Sequence, residues 1–227
     1  MTYEIFGENL PAVTVLLENG ESIYTQSGGM TWMTSDVSMS TNMDGGLMKG
    51  LGRMLSGESL FMATYTAQSS GQHFTAASSF PGAIIDLDIS KGPYICQKSA
   101  FLCAEPSVNL STYVVPGFKA GLFGGEGFIL QELSGSGHAF IELDGSIREI
   151  ELQAGEKLKV NTGNVGIFEK TVSYSVEWIK GFKNIVFGGE GLFLTTVEGP
   201  GKVYLQTITM PGFAQKIIPF LPTNTNS

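Results

Sequence analysis

Three glutamates stand beside glycines in three similar strings of the sequence. Glu58 lies in SGESLF, Glu126 in FGGEGFI and Glu190 in FGGEGLF. If the three strings surround one axis, converging carboxylates raise one another's pKa values or recruit a cation, which predicts a ligand site. The alternative is that each carboxylate accepts backbone N–H groups in a glycine turn. We favour the turn, because hydrogen-bonded structural carboxylates are common.

The two histidines are the other candidates for metal chemistry. His73 lies in GQHF and His138 in GHAF, at similar places of successive strings, whereas the third string has Lys202 in GKVY. Metal-dependent enzymes built on double-stranded β-helices use two or more histidines plus a carboxylate. One histidine per string needs distant strands to meet. The sequence therefore predicts no metal and no cofactor.

Nucleophile and phosphate motifs are absent from the sequence. It contains no G-x-S-x-G elbow followed by an acid and a histidine, no P-loop, and no dinucleotide fingerprint at a strand-to-helix junction. Glycine in a β-rich chain more often permits a positive φ or a close crossing than a phosphate contact. We therefore expect no catalytic residue and no enzymatic activity.

Ahead of each glutamate, an apolar cluster carries one lysine. Lys49 follows Leu-Met, Phe118 precedes Lys119, and Phe182 precedes Lys183. Three such loops on one rim would form an apolar patch ringed by lysine, suited to a protein partner or a membrane surface. The alternative is that these residues plug the ends of the β units and cover exposed sheet edges.

Composition argues against a nucleic-acid partner. The 227 residues include 13 Lys plus Arg and 21 Asp plus Glu, for a net charge of −8, whereas nucleic-acid binding depends largely on cationic side chains. Strand aromatics without neighbouring cations are interpreted as core: Phe61, Tyr65, Phe74, Phe128, Phe140, Phe193 and Tyr204.

Cysteine usage and the N-terminal sequence indicate a cytoplasmic protein. Cys96 and Cys103 are too few for a disulfide framework, and two reduced, half-buried thiols are expected, although a short hairpin could bring them together. The N-terminus has acids where a signal peptide has a basic region. The longest uncharged stretch, Ser59 to Ile85, is too polar to span a membrane.

The elements that would position these residues recur along the chain. FGGEGFILQEL from Phe123 matches FGGEGLFLTTV from Phe187, and the string from Ser56 is a weaker third copy. Two further sets share one register, namely Gly20, Gly92 and Gly155 ahead of strand-like runs, and Val37, Val108 and Val172. These matches predict a triplication within one compact unit, with boundaries near Ser79 and Asp144. The predicted repeats are 1–79, 80–144 and 145–210, followed by a tail, 211–227.

Within each copy the apolar pattern has a period of two, which is typical of half-buried strands. Turn residues punctuate it about every ten residues, so we expect about five strands per copy. The best helical candidate, Leu47 to Leu55, contains two glycines and predicts one turn at most. The predicted fold class is all-β, with three units packed around a pseudo-threefold axis.

An ordered set of glycine-rich motifs resembles the altered-inheritance-of-mitochondria protein 24 family over nearly the whole chain. The motifs are Gly45-Gly46, Leu51, Arg53, Gly57-Glu58-Ser59-Leu60-Phe61, Pro81-Gly82, Gly124-Gly125-Glu126-Gly127-Phe128, Gly189-Glu190-Gly191-Leu192 and Gly199-Pro200-Gly201-Lys202-Val203-Tyr204-Leu205-Gln206-Thr207. The resemblance implies three short double-stranded β-helix units like the subunit of the tryptophan RNA-binding attenuation protein (TRAP). Mitochondrial relatives are linked to inner-membrane organisation, but this chain shows no presequence. Asn161 departs from the acidic residue that relatives tend to have after strand Leu158–Val160.

The sequence therefore predicts a non-catalytic scaffold or interaction protein of the bacterial cytoplasm, built from three tandem TRAP-like units. Its expected partner is a protein or a membrane surface, met by the apolar and lysine rim. A regulator that binds a small ligand or nucleic acid is the alternative. An internal threefold repeat can replace or accompany a homo-oligomer.

Overall fold

Antiparallel β-strands make up most of the described chain. The computed structural model describes residues 1–26, 28–41, 62–115, 129–178 and 193–221. In chain order, the strands are β1 Thr2–Phe6, β2 Ala12–Leu17, β3 Ser22–Gln26, β4 Trp32–Met33, β5 Val37–Thr41, β6 Met62–Ala67, β7 Gln72–Ala77, β8 Gly82–Asp88, β9 Tyr94–Gln97, β10 Phe101–Ala104, β11 Val108–Tyr113, β12 Leu130–Gly135, β13 His138–Asp144, β14 Ile147–Leu152, β15 Lys157–Asn161, β16 Val165–Glu169, β17 Ser173–Trp178, β18 Phe193–Glu198 and β19 Gly201–Gln206. One α-helix, α1, spans Met210–Ile217 near the end of the described chain. The all-β class predicted from the alternating pattern is therefore confirmed.

The strands form four sheets. Sheet I has the order β1-β2-β7-β4, sheet II β5-β6-β3-β10-β13-β8, sheet III β11-β12-β9-β16-β19-β14, and sheet IV β15-β18-β17. We call residues 12–77, 82–144 and 147–206 the first, second and third segments. Each segment contributes six strands with one pairing scheme: three in the order β2-β7-β4, β8-β13-β10 or β14-β19-β16, and three in the order β5-β6-β3, β11-β12-β9 or β17-β18-β15.

Glycines at the predicted positions open equivalent strands. Gly20, Gly92 and Gly155 have φ values of 82°, 144° and 78°, which favour glycine over other residues. Strands β3, β9 and β15 each begin two residues later, at Ser22, Tyr94 and Lys157. The glycines therefore share one position ahead of a strand, as the sequence predicts. Gly20 and Gly155 have similar φ values, whereas Gly92 follows the 3-10 turn Ile89–Lys91.

Apolar side chains fill three successive layers between the four sheets. The first layer contains Val15 and Phe74 of sheet I with Tyr65 of sheet II. The second joins sheets II and III, and the third joins sheets III and IV. Phe140 and Ile141 are neighbours on β13, and both are 0% exposed. Because neighbouring strand residues point to opposite faces, sheet II is buried on both faces here.

Two features differ from the expectations. Each segment has six strands rather than about five, because β4, β10 and β16 are short and irregular: β10 follows a 3-10 turn, and its register with β13 shifts between Phe101 and Cys103. Such short strands leave little alternating pattern in the sequence. Helix α1 lies in the segment that the sequence assigns to a tail, whereas the predicted helical turn at Leu47 to Leu55 lies outside the described residues.

The cysteines are more deeply buried than expected. Cys96 lies on β9 of sheet III and Cys103 on β10 of sheet II, so they are not partners in one hairpin. Both are 0% exposed rather than half-buried. Burial raises the pKa of the Cys96 thiol to about 12 and raises that of Cys103 as well. Such thiols are poor nucleophiles, because the thiolate is the reactive form.

None of the helices in the described segments has the length and apolar content that a membrane span requires.

Candidate functional site

The residues that the sequence singles out most strongly lie outside the described part of the chain. They are the three glutamates Glu58, Glu126 and Glu190, and the rim residues Lys49, Phe118, Lys119, Phe182 and Lys183. Their turn and partner roles remain predictions from the sequence. The two histidines and Lys202 are described.

His138 forms the centre of a polar cluster at the start of β13. Its Nδ1 lies 2.8 Å from Oδ1 of Asp86 on the neighbouring strand β8, and both side chains are partly buried. The Asp86 carboxylate therefore accepts a hydrogen bond from Nδ1, and this bond fixes the orientation of the imidazole ring. His73 lies at the corresponding place on β7 but is exposed.

Tyr3 adds a third member to this cluster from the N-terminal strand. Its hydroxyl donates to Oδ2 of Asp86 at 2.5 Å, and its ring packs edge-on against Phe140 with centroids 4.9 Å apart. The hydrogen bond to Asp86, burial and the nearby negative charge raise the pKa of Tyr3 to about 12. The phenol therefore stays protonated and acts as a hydrogen-bond donor.

Glu105 completes the cluster from the turn after β10. Its Oε2 accepts from the backbone N–H of His138 at 2.6 Å. The preceding residue, Gly137, has a φ of 99°, and a Cβ there would lie 2.3 Å from the same carboxylate oxygen. Glycine therefore permits the close approach of this carboxylate to the strand.

The third segment repeats this arrangement with different side chains. Oε2 of Glu169 accepts from the backbone N–H of Lys202 at 3.1 Å, and Nζ of Lys202 lies 2.7 Å from Oε1 of Glu149. In the first segment, Oγ1 of Thr34 accepts from the backbone N–H of His73 at 3.0 Å. In each of the three segments, the backbone N–H of the residue at this place therefore donates to a side-chain oxygen.

This recurrence decides what the cluster can do chemically. Lys202 replaces His138 at the same place, and a protonated lysine cannot take over the proton transfer of a neutral imidazole. Both side chains have the same geometric role, because each places a nitrogen within hydrogen-bond distance of a carboxylate on the neighbouring strand. Among residues 1–26, 28–41, 62–115, 129–178 and 193–221, no three His, Cys, Asp or Glu side chains are grouped to hold a metal ion. The cluster is therefore best explained as a structural pair.

A small open cavity lies beside the cluster. It has a volume of about 280 Å³ and is lined by Met1, Leu17, Glu21, Ser22, Glu105, Pro106 and Ser107. Its two carboxylates already accept backbone hydrogen bonds, Glu21 from Glu18 at 2.9 Å and Glu105 from His138. These contacts give both carboxylates a role in holding turns.

The C-terminal segment 210–221 exposes several large apolar side chains. Helix α1 has no buried residue and continues into a 3-10 turn, Ile218–Phe220. Its exposed side chains are Met210 at 45%, Ile217 at 38%, Ile218 at 60%, Phe220 at 86% and Leu221 at 55%. We call these five residues the C-terminal apolar patch.

Two contacts position this patch on the body of the protein. Oγ1 of Thr209 accepts from the backbone N–H of Gly212 at 3.1 Å, which caps α1, and Pro211 lies in its first turn. The ring of Phe213 packs against Phe80 with centroids 5.0 Å apart. The sequence analysis missed this helix, although a threonine followed by a proline is a recognised helix start.

Comparisons with known proteins agree with this architecture. A family model described as mitochondrial biogenesis AIM24 matches residues 3–208. An uncharacterised protein of Streptococcus pyogenes serotype M6 is 31% identical over 224 residues, covering 95% of this chain and 89% of the relative. A crystal structure of a protein from Streptococcus pyogenes is similar with a TM-score of 0.81 and 26% identity, covering 97% of this chain and 99% of that chain.

Proposed function

Since the chain belongs to the AIM24 family, we propose that it is a non-catalytic interaction protein built from three TRAP-like units, and that it contacts a membrane surface through its C-terminal apolar patch. The pairing scheme that recurs in all three segments supports the three units. The proposed unit boundaries are the loops between β7 and β8 and between β13 and β14. The exposure of the patch is the observation that carries the interaction role.

Local charge supports a lipid surface. Segment 210–221, which carries the patch, contains Lys216 and no Asp or Glu, so it is cationic on a protein of net charge −8. Short helices with one apolar face and a lysine lie in the interface between lipid headgroups and acyl chains. Lys216 is in the last turn of α1, from which its long side chain can reach headgroups.

The size of the patch is compatible with binding to lipid. At about 200 Å² for a fully exposed large side chain, the patch presents roughly 550 Å² of apolar surface. Membrane binding needs no minimum interface and grows with the apolar area inserted.

Vesicle flotation of the full chain tests this proposal. We expect the wild-type protein to float with phosphatidylcholine vesicles, and the double variant Ile218→Ser, Phe220→Ser to lose at least tenfold in the bound fraction. Met39→Ser is the matched control, because Met39 is exposed to a similar extent, 56%, but lies on β5. Equal flotation of the wild type and the double variant, or no flotation of the wild type, would contradict the membrane role.

A further inference from the structure

Strand β1 is an addition to the repeated scheme of strands. Strands β2, β8 and β14 hold the same place in the three segments, next to β7, β13 and β19. Among the described strands, β8 and β14 lie at the ends of their sheets, whereas β2 has β1 on its outer side. Since the second and third segments keep the common pairing scheme without such a strand, the scheme does not depend on β1.

One side chain anchors β1 to the sheet behind it. Four of its five residues are exposed, and the exception is Tyr3. The Tyr3 hydroxyl donates to Oδ2 of Asp86 at 2.5 Å. The centroid of its ring lies 4.9 Å from that of Phe140 and 5.7 Å from that of His138. A strand with so few buried contacts separates from the protein at a low cost in free energy.

The surface beneath Tyr3 belongs to the body of the protein. Asp86 lies on β8, and His138 and Phe140 lie on β13, all in sheet II. The third segment forms its equivalent pair, Glu149 with Lys202 at 2.7 Å, although no described strand lies outside β14. The pair in the second segment therefore needs no strand beside it to form. We call the outer edge of β2, together with Asp86, His138 and Phe140, the β1 groove.

We propose that the β1 groove binds an extended, tyrosine-containing segment of a partner protein, and that β1 occupies the groove as an internal competitor. In β-strand addition, the main chain of a peptide pairs with a sheet edge, and alternate side chains give specificity. The bound tyrosine takes the place of Tyr3, and an apolar residue two positions later takes that of Ile5 on the same face. A second copy of this chain offers no free segment of this kind, because its own β1 is paired with β2.

The hydroxyl group is what the groove recognises in the tyrosine. Oδ1 of Asp86 lies 2.8 Å from Nδ1 of His138, and Oδ2 accepts from the Tyr3 hydroxyl. A phenylalanine leaves Oδ2 without this donor, which weakens binding. A phosphotyrosine places further negative charge against Asp86, close to Glu105, whose carboxylate accepts from the His138 N–H. The groove therefore selects an unmodified tyrosine.

The backbone hydrogen bonds of sheet I show how β1 can be released. The N–H of Ser78 donates to the carbonyl oxygen of Pro11 at 2.8 Å, between β7 and β2. Because such bonded pairs alternate along an antiparallel strand, the backbone groups of Thr14, three residues later, point toward its β1 partner Glu4. Glu4→Pro therefore removes an N–H that bonds to β2, whereas Glu4→Ala keeps it.

Fluorescence anisotropy with full-chain variants tests the proposal. The probe is a peptide with the sequence of residues 1–8, MTYEIFGE, labelled with fluorescein at its C-terminus. We expect Glu4→Pro to bind it about tenfold more tightly than the wild type, because attachment of β1 lowers the fraction of chains with a free groove. Tyr3→Ala loosens the same strand by removing its anchor and should also gain affinity. Glu4→Ala is the matched control and should bind as the wild type does.

Two further peptides test recognition of the hydroxyl group. We expect the peptide with phenylalanine in place of tyrosine to bind Glu4→Pro about tenfold more weakly, and the phosphotyrosine peptide to bind more weakly still. Circular dichroism checks that the variants are folded, and Tyr3→Ala decides the result if Glu4→Pro is unfolded. Folded variants that bind no better than the wild type, or equal affinity for the tyrosine and phenylalanine peptides, would each overturn the proposal.

Discussion

The second and third segments hold the same type of cross-strand pair in different surroundings. The Asp86–His138 pair is partly buried and receives a third partner, Tyr3, from β1, which lies ahead of the repeated strands. The Glu149–Lys202 pair has nearly the same separation, 2.7 against 2.8 Å, but is more exposed and has no counterpart of Tyr3 among the described residues. We therefore expect the two pairs to contribute differently to stability despite their similar distances, because solvent weakens an exposed pair.

The largest expected effect on stability belongs to Phe140, which packs beneath the Asp86–His138 pair. Phe140→Ala removes a ring that is 0% exposed and packs against Tyr3, and we expect a loss of about 3–5 kcal/mol in the free energy of unfolding. Urea denaturation followed by fluorescence measures it. Tyr204→Phe, at the same place in the third segment, is the control and should cost much less. A loss below about 1 kcal/mol for Phe140→Ala would contradict burial of both faces of sheet II.

Glu105 and Glu169 provide a second contrast. Glu105→Ala leaves the His138 N–H without its 2.6 Å acceptor, and we expect a cost of about 2 kcal/mol. Glu169→Ala breaks a longer bond, 3.1 Å, and should cost about half as much. The same urea titrations measure both. Equal losses would show that hydrogen-bond length does not rank these two turns.

Alkaline pH tests the role of Tyr3. Its pKa is about 12 in the folded state against 10.0 ordinarily, so the folded state keeps the phenolic proton after the unfolded state has lost it. The free energy of unfolding therefore contains a contribution that is complete below pH 10 and is lost as the pH rises toward 12. We expect Tyr3→Phe to decline less steeply than the wild type between these values. Parallel declines would contradict the Tyr3–Asp86 hydrogen bond.

The smallest expected effect belongs to the exposed pair. Lys202→Met should lower the melting temperature by no more than about 2 °C, because exposed ion pairs contribute little and its aliphatic stem is retained. Scanning calorimetry at low and high salt measures the change, and the small difference should vanish at high salt. A drop of about 10 °C would mean that exposure does not rank the two pairs.

Local patterns predicted the strands well because their causes are local. Alternating residues and turn glycines such as Gly20 and Gly155 depend on neighbours in sequence, and the structure places strands directly after them. The equivalence of His73, His138 and Lys202 was also visible as GQHF, GHAF and GKVY. Short strands such as β4 were missed, because two residues carry no measurable period.

The contacts of the cluster could not be predicted from sequence. Tyr3 and Asp86 are 83 residues apart, and no short motif links them. Asp86 lies inside the apolar strand β8. From the sequence alone, an acid at such a position is expected to face solvent, and its contact with His138 is seen only in the folded sheet. Helix α1 was overlooked for another reason: its eight residues are too few for a periodic pattern, although Thr209 and Pro211 mark its start.

The layered order of the four sheets also bears on how the chain opens. Sheets II and III are packed on both sides, whereas sheets I and IV each have one packed neighbour among the described layers. In such a stack, local unfolding is cheapest at the ends. Amide hydrogens of β9, β10, β13 and β16 should therefore exchange with deuterium last, and those of β1 and β17 first, so that fraying proceeds from both ends toward the centre.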